Sequence, residues 1–178
     1  MAVENVGVKL LLLYMRKFPV DYGKWRFAEW LDQRTHHQNA MVRTGPGFLM
    51  HLNTQDFIQK TIFITGRWDD EVGNVIRSTL KAGDVFVDIG ANVGYFSLLA
   101  SQCCSQVISF EPNPKCLMQL NANIALNKRT NIDARPIGLA DACGKAEFHI
   151  GDAANIGGGS LRKSSGEKFS IQLDTMDA

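Results

Sequence analysis

The stretch FVDIGANVGYFSLLA, residues 86–100, constrains this chain more than any other. A run of strand-forming residues ends on an acid, Asp88, turns through two glycines around an Asn, and restarts as an apolar helix. A strand that stops at a glycine turn and passes at once into a helix places that turn at an edge where a ligand can sit.

The same rhythm continues. QVISFEP, residues 106–112, is a second apolar strand; Asn113 caps a helix with Pro114 in its first turn and Leu117, Leu120 and Ile124 as its buried stripe. NIDARPIGL, residues 131–139, gives a third strand, weakened by Pro136, which has no N–H to give a ladder. Strand, helix, strand, helix, strand is half of a doubly wound parallel sheet with right-handed crossovers. The expected fold class is therefore α/β, a Rossmann-like doubly wound sheet in partial form.

Either side of this core the pattern differs. Residues 6–17 read as a short helix that Phe18-Pro19 ends, and residues 20–40 show no clean period. From Met41 the chain is strand-like, with a TGPG turn at 44–47 and alternation through Phe48, Met50 and Leu52; TIFIT, residues 61–65, is a further short apolar stretch. Asp69 caps a helix whose apolar face is Val72, Val75, Ile76, Thr79 and Leu80, ending near Gly83. After Cys143, KAEFHI and EKFSIQL predict two antiparallel strands flanking a Gly/Ser-rich loop at 155–166. The expected organisation is an N-terminal helical and β-hairpin extension over 1–68, and a Rossmann-like domain over 69–178 that closes with a C-terminal β-hairpin.

Composition narrows the function. Nineteen basic residues against eighteen acidic ones leave a net charge of +1 without a long run of one sign, so nucleic acid is not expected as a partner. Cys103, Cys104, Cys116 and Cys143 show no CxxC spacing, which fits a reducing, cytoplasmic compartment; Cys103 and Cys104 fall inside the predicted helix. VGVKLLLLYMRKFPV is interrupted by Lys9 and followed by no small-residue cleavage site, so it reads as a packing helix rather than a signal peptide or membrane span.

The glycine turn selects among ligands. A dinucleotide site wants GxGxxG to meet a diphosphate, whereas GANVG has two glycines and an acid two places before the first. Asp88 would repel a diphosphate. It would attract the ammonium side of S-adenosyl-L-methionine, a nucleoside that carries a sulfonium and no phosphate. Glu111, about twenty residues past the turn at the end of the next strand, is placed to accept hydrogen bonds from both ribose hydroxyls. Gly90 lets the backbone turn tightly, Gly94 lets the next helix and whatever lies against it come close, and a β-carbon at either would push the ligand away. Taken singly, Asp88 is also an ordinary helix cap and Glu111 a solvated strand end; their spacing together favours the cofactor.

These residues resemble the FkbM family of methyltransferases, class I S-adenosylmethionine-dependent enzymes that mostly methylate hydroxyl oxygens. The similarity runs from Gly66 to Asp174 through GRWDDE, GDVFVDIGANVGYFSLLAS, SFEPNP, NIALN, GLAD, NIGGGS and a closing LD. It implies that Asp88, Gly90, Asn92 and Gly94 hold the methionine end, with Ala91 and Tyr95 completing the turn, and that Glu111 holds the ribose. Pro112 and Asn113 would follow the family's turn beside the adenine, with Asp141 as an adenine-side acid or a plain surface turn. Family members continue past LD into a strand bearing an IKIDVEG-like motif, but this sequence closes on LDTMDA. A C-terminally truncated chain is therefore expected, with a bare apolar edge on the strand of residues 84–90.

The implied acceptor is a hydroxyl on a small molecule, glycan or lipid, and no general base stands out. His149 is a candidate substrate-side base against a plain hairpin position; His36, His37 and His51 lack companion ligands at metal spacing, so no metal is expected. Trp68 and Glu71 are better explained by packing and helix-start charge than by closure over a cofactor, and Asn155 and Ser160 are candidate substrate contacts or a hairpin tip. Two rival functions stand beside methyl transfer: a nicotinamide-dependent oxidoreductase, disfavoured by the glycine spacing, and a non-catalytic cofactor-binding fragment.

Overall fold

The computed structural model describes residues 39–150 and 167–177. The predicted helix at 6–17, His36, His37, Asn155 and Ser160 lie outside them. Contacts divide the chain into two compact units that meet between Trp68 and Asp69.

In the first unit β1 (Asn39–Arg43) and β2 (Leu49–Asn53) form an antiparallel hairpin, with Arg43 opposite Leu49. The TGPG turn closes it: Thr44 donates its N–H to Phe48 O at 2.9 Å, and Gly47 takes φ 98°. Phe48, Met50 and Leu52 are buried, as their alternation predicts. TIFIT proves to be the end of a helix, α1 (Phe57–Thr65), rather than an isolated apolar stretch. The local signal is D-x-x-Q: Asp56 Oδ1 accepts the N–H of Gln59, and Gln59 Oε1 reaches back to the N–H of Asn53 at 2.7 Å. Gly66 in the left-handed region ends the helix.

The second unit begins with α2 (Asp70–Thr79), where Asp69 Oδ1 accepts the N–H of Val72. Its buried face is Gly73 and Ile76, whereas Val72 and Val75 are exposed. This narrows the predicted apolar face. The cause is close approach to α3 (Tyr95–Ala100): a β-carbon on Gly73 would lie 3.5 Å from Leu99 Cδ2.

Beyond α2, β3 (Val85–Ile89), β4 (Gln106–Phe110) and β5 (Ile132–Arg135) form a parallel sheet in that order, joined through α3 and through α4 (Pro114–Leu126). This is the expected α/β, Rossmann-like half of a doubly wound sheet. Among the described residues β3 pairs with β4 alone, and its Val85 and Ile89 are exposed.

Three details differ from expectation. α3 stops at Ala100, so Cys103 and Cys104 lie in the turns after it; i to i+3 bonds from Gln102 and Cys103 tighten the chain there. The third predicted strand is two, because Pro136 breaks the ladder: β5 stays in the parallel sheet, and β6 (Ile137–Leu139) joins another. That second sheet has the order β6, β8 (Glu167–Asp174), β7 (Gly144–Ile150), with β7 and β8 antiparallel as the sequence suggests. In α4, finally, the most buried positions are Cys116, Leu120 and Asn123, one residue out of phase with the predicted stripe at Leu117 and Ile124.

Candidate cofactor-binding site

The site is assembled at the carboxyl ends of β3 and β4. Gly90 and Ala91 both donate their N–H groups to Phe110 O, at 2.9 and 3.0 Å, which ties the turn to the neighbouring strand. Asn92 takes φ 51°, uncommon for a residue with a side chain, between Gly90 at 75° and Gly94 at 90°. Gly94 N donates to Ala91 O, and Leu98 N to Gly94 O, so the turn runs directly into α3.

Glu111 joins this turn to the next. Oε2 accepts the N–H of Asn92 at 2.7 Å, and Oε1 accepts the N–H of Asn113 at 2.8 Å. Glu111 is buried and so is Asn113, whose Oδ1 caps α4 by accepting the N–H of Lys115. Burial pushes the Glu111 carboxyl above its ordinary range against the two backbone donors, and the charge of Asp88 pushes the same way. A carboxylate has about four acceptor positions. Two are taken by the backbone, and the remaining lone pairs suit a diol.

Asp88 faces inward. Ser97 Oγ donates to Asp88 Oδ2 at 2.5 Å, and Ser109 Oγ donates to Ser97 Oγ at 2.9 Å. All three side chains are buried. Burial raises the Asp88 pKa, opposed by hydrogen bonds from the Ser97 hydroxyl and backbone N–H. The structure thus gives Asp88 a share in anchoring α3 as well as a place near Glu111. Ser97 and Ser109 were not singled out by sequence; as small polar residues in apolar runs they carried the signal.

The two glycines serve different ends. A β-carbon on Gly90 would meet nothing within 4 Å, whereas one on Gly94 would lie 2.4 Å from Leu120 Cδ1. The close approach expected at Gly94 is made by α4, whose Leu120 side chain occupies the space of the missing β-carbon. Ala91 and Tyr95 are buried, with the Tyr95 ring edge-on to Phe96 at 5.5 Å between centroids. Pro112 is half-buried beside Gly138.

Asp141 is exposed in the turn between β6 and β7. His149 is buried, with Nε2 3.9 Å from Glu147 Oε2, and its backbone pairs with Lys168. Alternation puts it on the face opposite Phe148 and Phe169. Phe169 and Glu167 do approach the start of α4: Lys115 bonds the Glu167 carboxylate and stands over the Phe169 ring at 5.8 Å. No group of acidic, His or Cys side chains among the described residues is arranged to hold a metal ion.

One observation tests the fit of S-adenosylmethionine. Asn92 Oδ1 is buried without a hydrogen-bond partner, next to the N–H that Glu111 accepts. An orphaned acceptor beside two acids, with open space at Gly90, suits a ligand rich in N–H and O–H donors and cationic in charge. It does not suit a diphosphate.

No family model matches the chain. Among curated proteins, the methyltransferase sdnD of Sordaria araneosa is 35% identical over 91 residues, covering 49% of this chain and 32% of that protein. The AMB antimetabolite synthetase AmbE of Pseudomonas aeruginosa is 33% identical over 95 residues, covering 52% of this chain and 4% of that protein. The chain thus spans about a third of the first relative's length and 4% of the second's. Similar solved structures include an rRNA methylase from Streptococcus thermophilus, with TM-score 0.37, 13% identity, and 38% of this chain and 41% of that chain covered. A Streptococcus mutans methyltransferase in complex with SAH has TM-score 0.39 and 14% identity over 40% of this chain and 41% of its own. The M. jannaschii tRNA m1G37 methyltransferase has TM-score 0.44 and 16% identity over 61% of this chain and 36% of its own.

The chain has a Rossmann-like α/β fold, and S-adenosylmethionine is the cofactor its site fits. The expectation that excluded nucleic acid as a partner is withdrawn: the similar solved structures include an rRNA methylase and a tRNA m1G37 methyltransferase. A net charge is a sum over the whole sequence and leaves the local distribution of charge undetermined. No helix among the described residues is long and apolar enough to cross a membrane.

Proposed function

We propose that this chain is the cofactor-binding part of an S-adenosylmethionine-dependent methyltransferase of the FkbM type, with residues 69–178 as its Rossmann-like domain. The observation that carries the reading is the Glu111 carboxylate, bonded to the turns on both sides of it, beside the orphaned Oδ1 of Asn92. In this reading Glu111 accepts the ribose hydroxyls, and Asn92 Oδ1 takes a donor from the methionine end. Gly90 leaves the space that end occupies, with Ala91, Gly94 and Tyr95 forming the turn around it. Asp88 supplies negative charge beneath the cation, and Pro112 and Asn113 lie toward the adenine, with Asp141 at its outer margin.

When bound, the cofactor supplies a methyl group made electrophilic by the adjacent sulfonium. The chain's own residues then hold geometry and exclude water, which is most of what an in-line displacement asks of a protein. The narrower form of the reading is O-methylation of a hydroxyl on a sugar, lipid or secondary metabolite. Relatives named as a methyltransferase and an antimetabolite synthetase support it. Four free cysteines support a cytoplasmic location.

Calorimetry with S-adenosylmethionine, S-adenosylhomocysteine and NADH tests the cofactor. Binding of the first two and not the third is expected; binding of NADH alone sinks the reading. Transfer of labelled methyl to sugar, lipid, small-metabolite and RNA pools tests the acceptor, and label confined to RNA overturns the narrower form.

A further inference from the structure

We infer that Asn123 is a positioning residue for the cofactor turn, acting through the Val93 carbonyl; this rests on the reading of that turn as the S-adenosylmethionine site. Asn123 lies within α4, three residues before its end at Leu126, where asparagine is a poor choice for helix stability, and it is fully buried. Its Nδ2 donates to Val93 O at 2.9 Å, across thirty residues of sequence. Asn127 in turn donates its side-chain N–H to Asn123 O at 2.8 Å, which secures that stretch of helix.

What the bond restrains is the peptide between Val93 and Gly94. Gly94 holds φ 90°, and glycine by itself favours that conformation little over its mirror image. Four backbone N–H groups of the turn are held elsewhere: those of Gly90 and Ala91 by Phe110 O, that of Asn92 by Glu111 and that of Gly94 by Ala91 O. Val93 O is the point at which α4 grips the turn, and Leu120, one helical turn before Asn123, fills the space a β-carbon on Gly94 would need. Leu120 sets the distance between α4 and the turn. Asn123 sets the orientation of the peptide, and with it the direction in which the neighbouring Asn92 side chain faces the cofactor.

Asn123→Asp and Asn123→Leu, in the full chain of 178 residues, are the test. Both keep the number of side-chain heavy atoms; leucine removes the donor to Val93 O, and aspartate removes it whenever its carboxyl is ionised, so leucine decides where the two disagree. Each is measured for S-adenosylhomocysteine affinity by calorimetry, and for amide hydrogen exchange at residues 90–95 without ligand. Loss of affinity by tenfold or more, with faster exchange confined to the turn and an intact near-UV spectrum, is expected. Asn121→Ala, at an exposed position on the same helix, should leave both unchanged. A folded Asn123 variant with wild-type affinity overturns the inference alone. A wild-type chain that binds neither S-adenosylmethionine nor S-adenosylhomocysteine overturns the cofactor reading and this inference with it. Should Asn123→Asp and Asn123→Leu both fail to fold, Asn123→Ser with the same measurements decides, since its hydroxyl is too short to reach Val93 O.

Discussion

Glu111 and Asn92 are joined by a 2.7 Å hydrogen bond from the Asn92 N–H to Oε2, across nineteen residues that include the whole of α3. The bond places the acid at the end of β4 against the turn at the end of β3, with its second oxygen on Asn113. A single side chain thereby fixes the two loops that border the proposed cofactor site.

Glu111→Gln should expose that double role. The amide can accept from one backbone N–H, but its NH2 then faces the other, leaving a buried donor unpaired at a cost of about 1–3 kcal/mol. Thermal or urea unfolding should show the loss. Affinity for S-adenosylhomocysteine should fall at least tenfold, and a folded variant that binds as tightly as wild type would refute the ribose role.

The glycines separate conformation from packing. Gly90→Ala meets no neighbour and suffers only from its positive φ, which costs about 1 kcal/mol. Gly94→Ala adds a collision with Leu120 Cδ1 and should be destabilised by about 1–3 kcal/mol more. Combining it with Leu120→Ala should recover part of the collision energy against Leu120→Ala alone, measured by a double-mutant cycle in urea. Equal effects of the two single glycine substitutions would contradict the packing role given to Gly94.

Acidity should act on stability and on binding in opposite directions. Burial raises the pKa of Asp88 and of Glu111, so the folded chain holds these protons more tightly than the unfolded one. Their contribution to stability is then greatest below the ordinary carboxylate range, about pH 4. It declines as pH rises through the raised folded values and is constant above them. A cationic cofactor favours the ionised acids, so affinity should fall as pH is lowered through the same window, with protons released on binding. Calorimetry in buffers of different ionisation enthalpy reads the release. Comparison of wild type with Asp88→Asn isolates one acid, and a pH-independent affinity in wild type would remove the proposed charge attraction.

The parallel core was legible because its signals are local. Asp88, the two glycines and Glu111 occupy positions fixed by the strand-turn-helix geometry, and Pro136 carries its own steric message, although its effect was to split a strand rather than to weaken it. Burial phase was less legible. Val75 and Gly73 exchange their expected places because α2 approaches α3 through the glycine, and Asn123 replaces Ile124 because the turn it serves lies on that side of α4. Such choices depend on which element lies opposite, and periodicity within one helix does not record that. The same holds for Ser97 and Ser109, whose partners are distant in sequence.

Those two serines permit a graded test of how Asp88 is held. Ser97 donates directly to the carboxylate and Ser109 donates to Ser97, so removing the first strips a hydrogen bond from a buried acid and removing the second only loosens its donor. Ser97→Ala should therefore cost about 1.5–3 kcal/mol, the usual range for a hydrogen bond to a charged group, and Ser109→Ala about 0.5–1.5 kcal/mol, the range for a neutral one. The Asp88 pKa should rise further in Ser97→Ala, since the bond opposing its burial is gone. Carbon-detected NMR titration of the Asp88 carboxyl reads that shift directly. Because the two hydroxyls form one chain, their effects should not add: with Ser97 already alanine, Ser109→Ala should cost measurably less or more than it does alone. Strict additivity in urea, together with an unshifted carboxyl titration, would mean that the serines fill space in the core without acting on the acid.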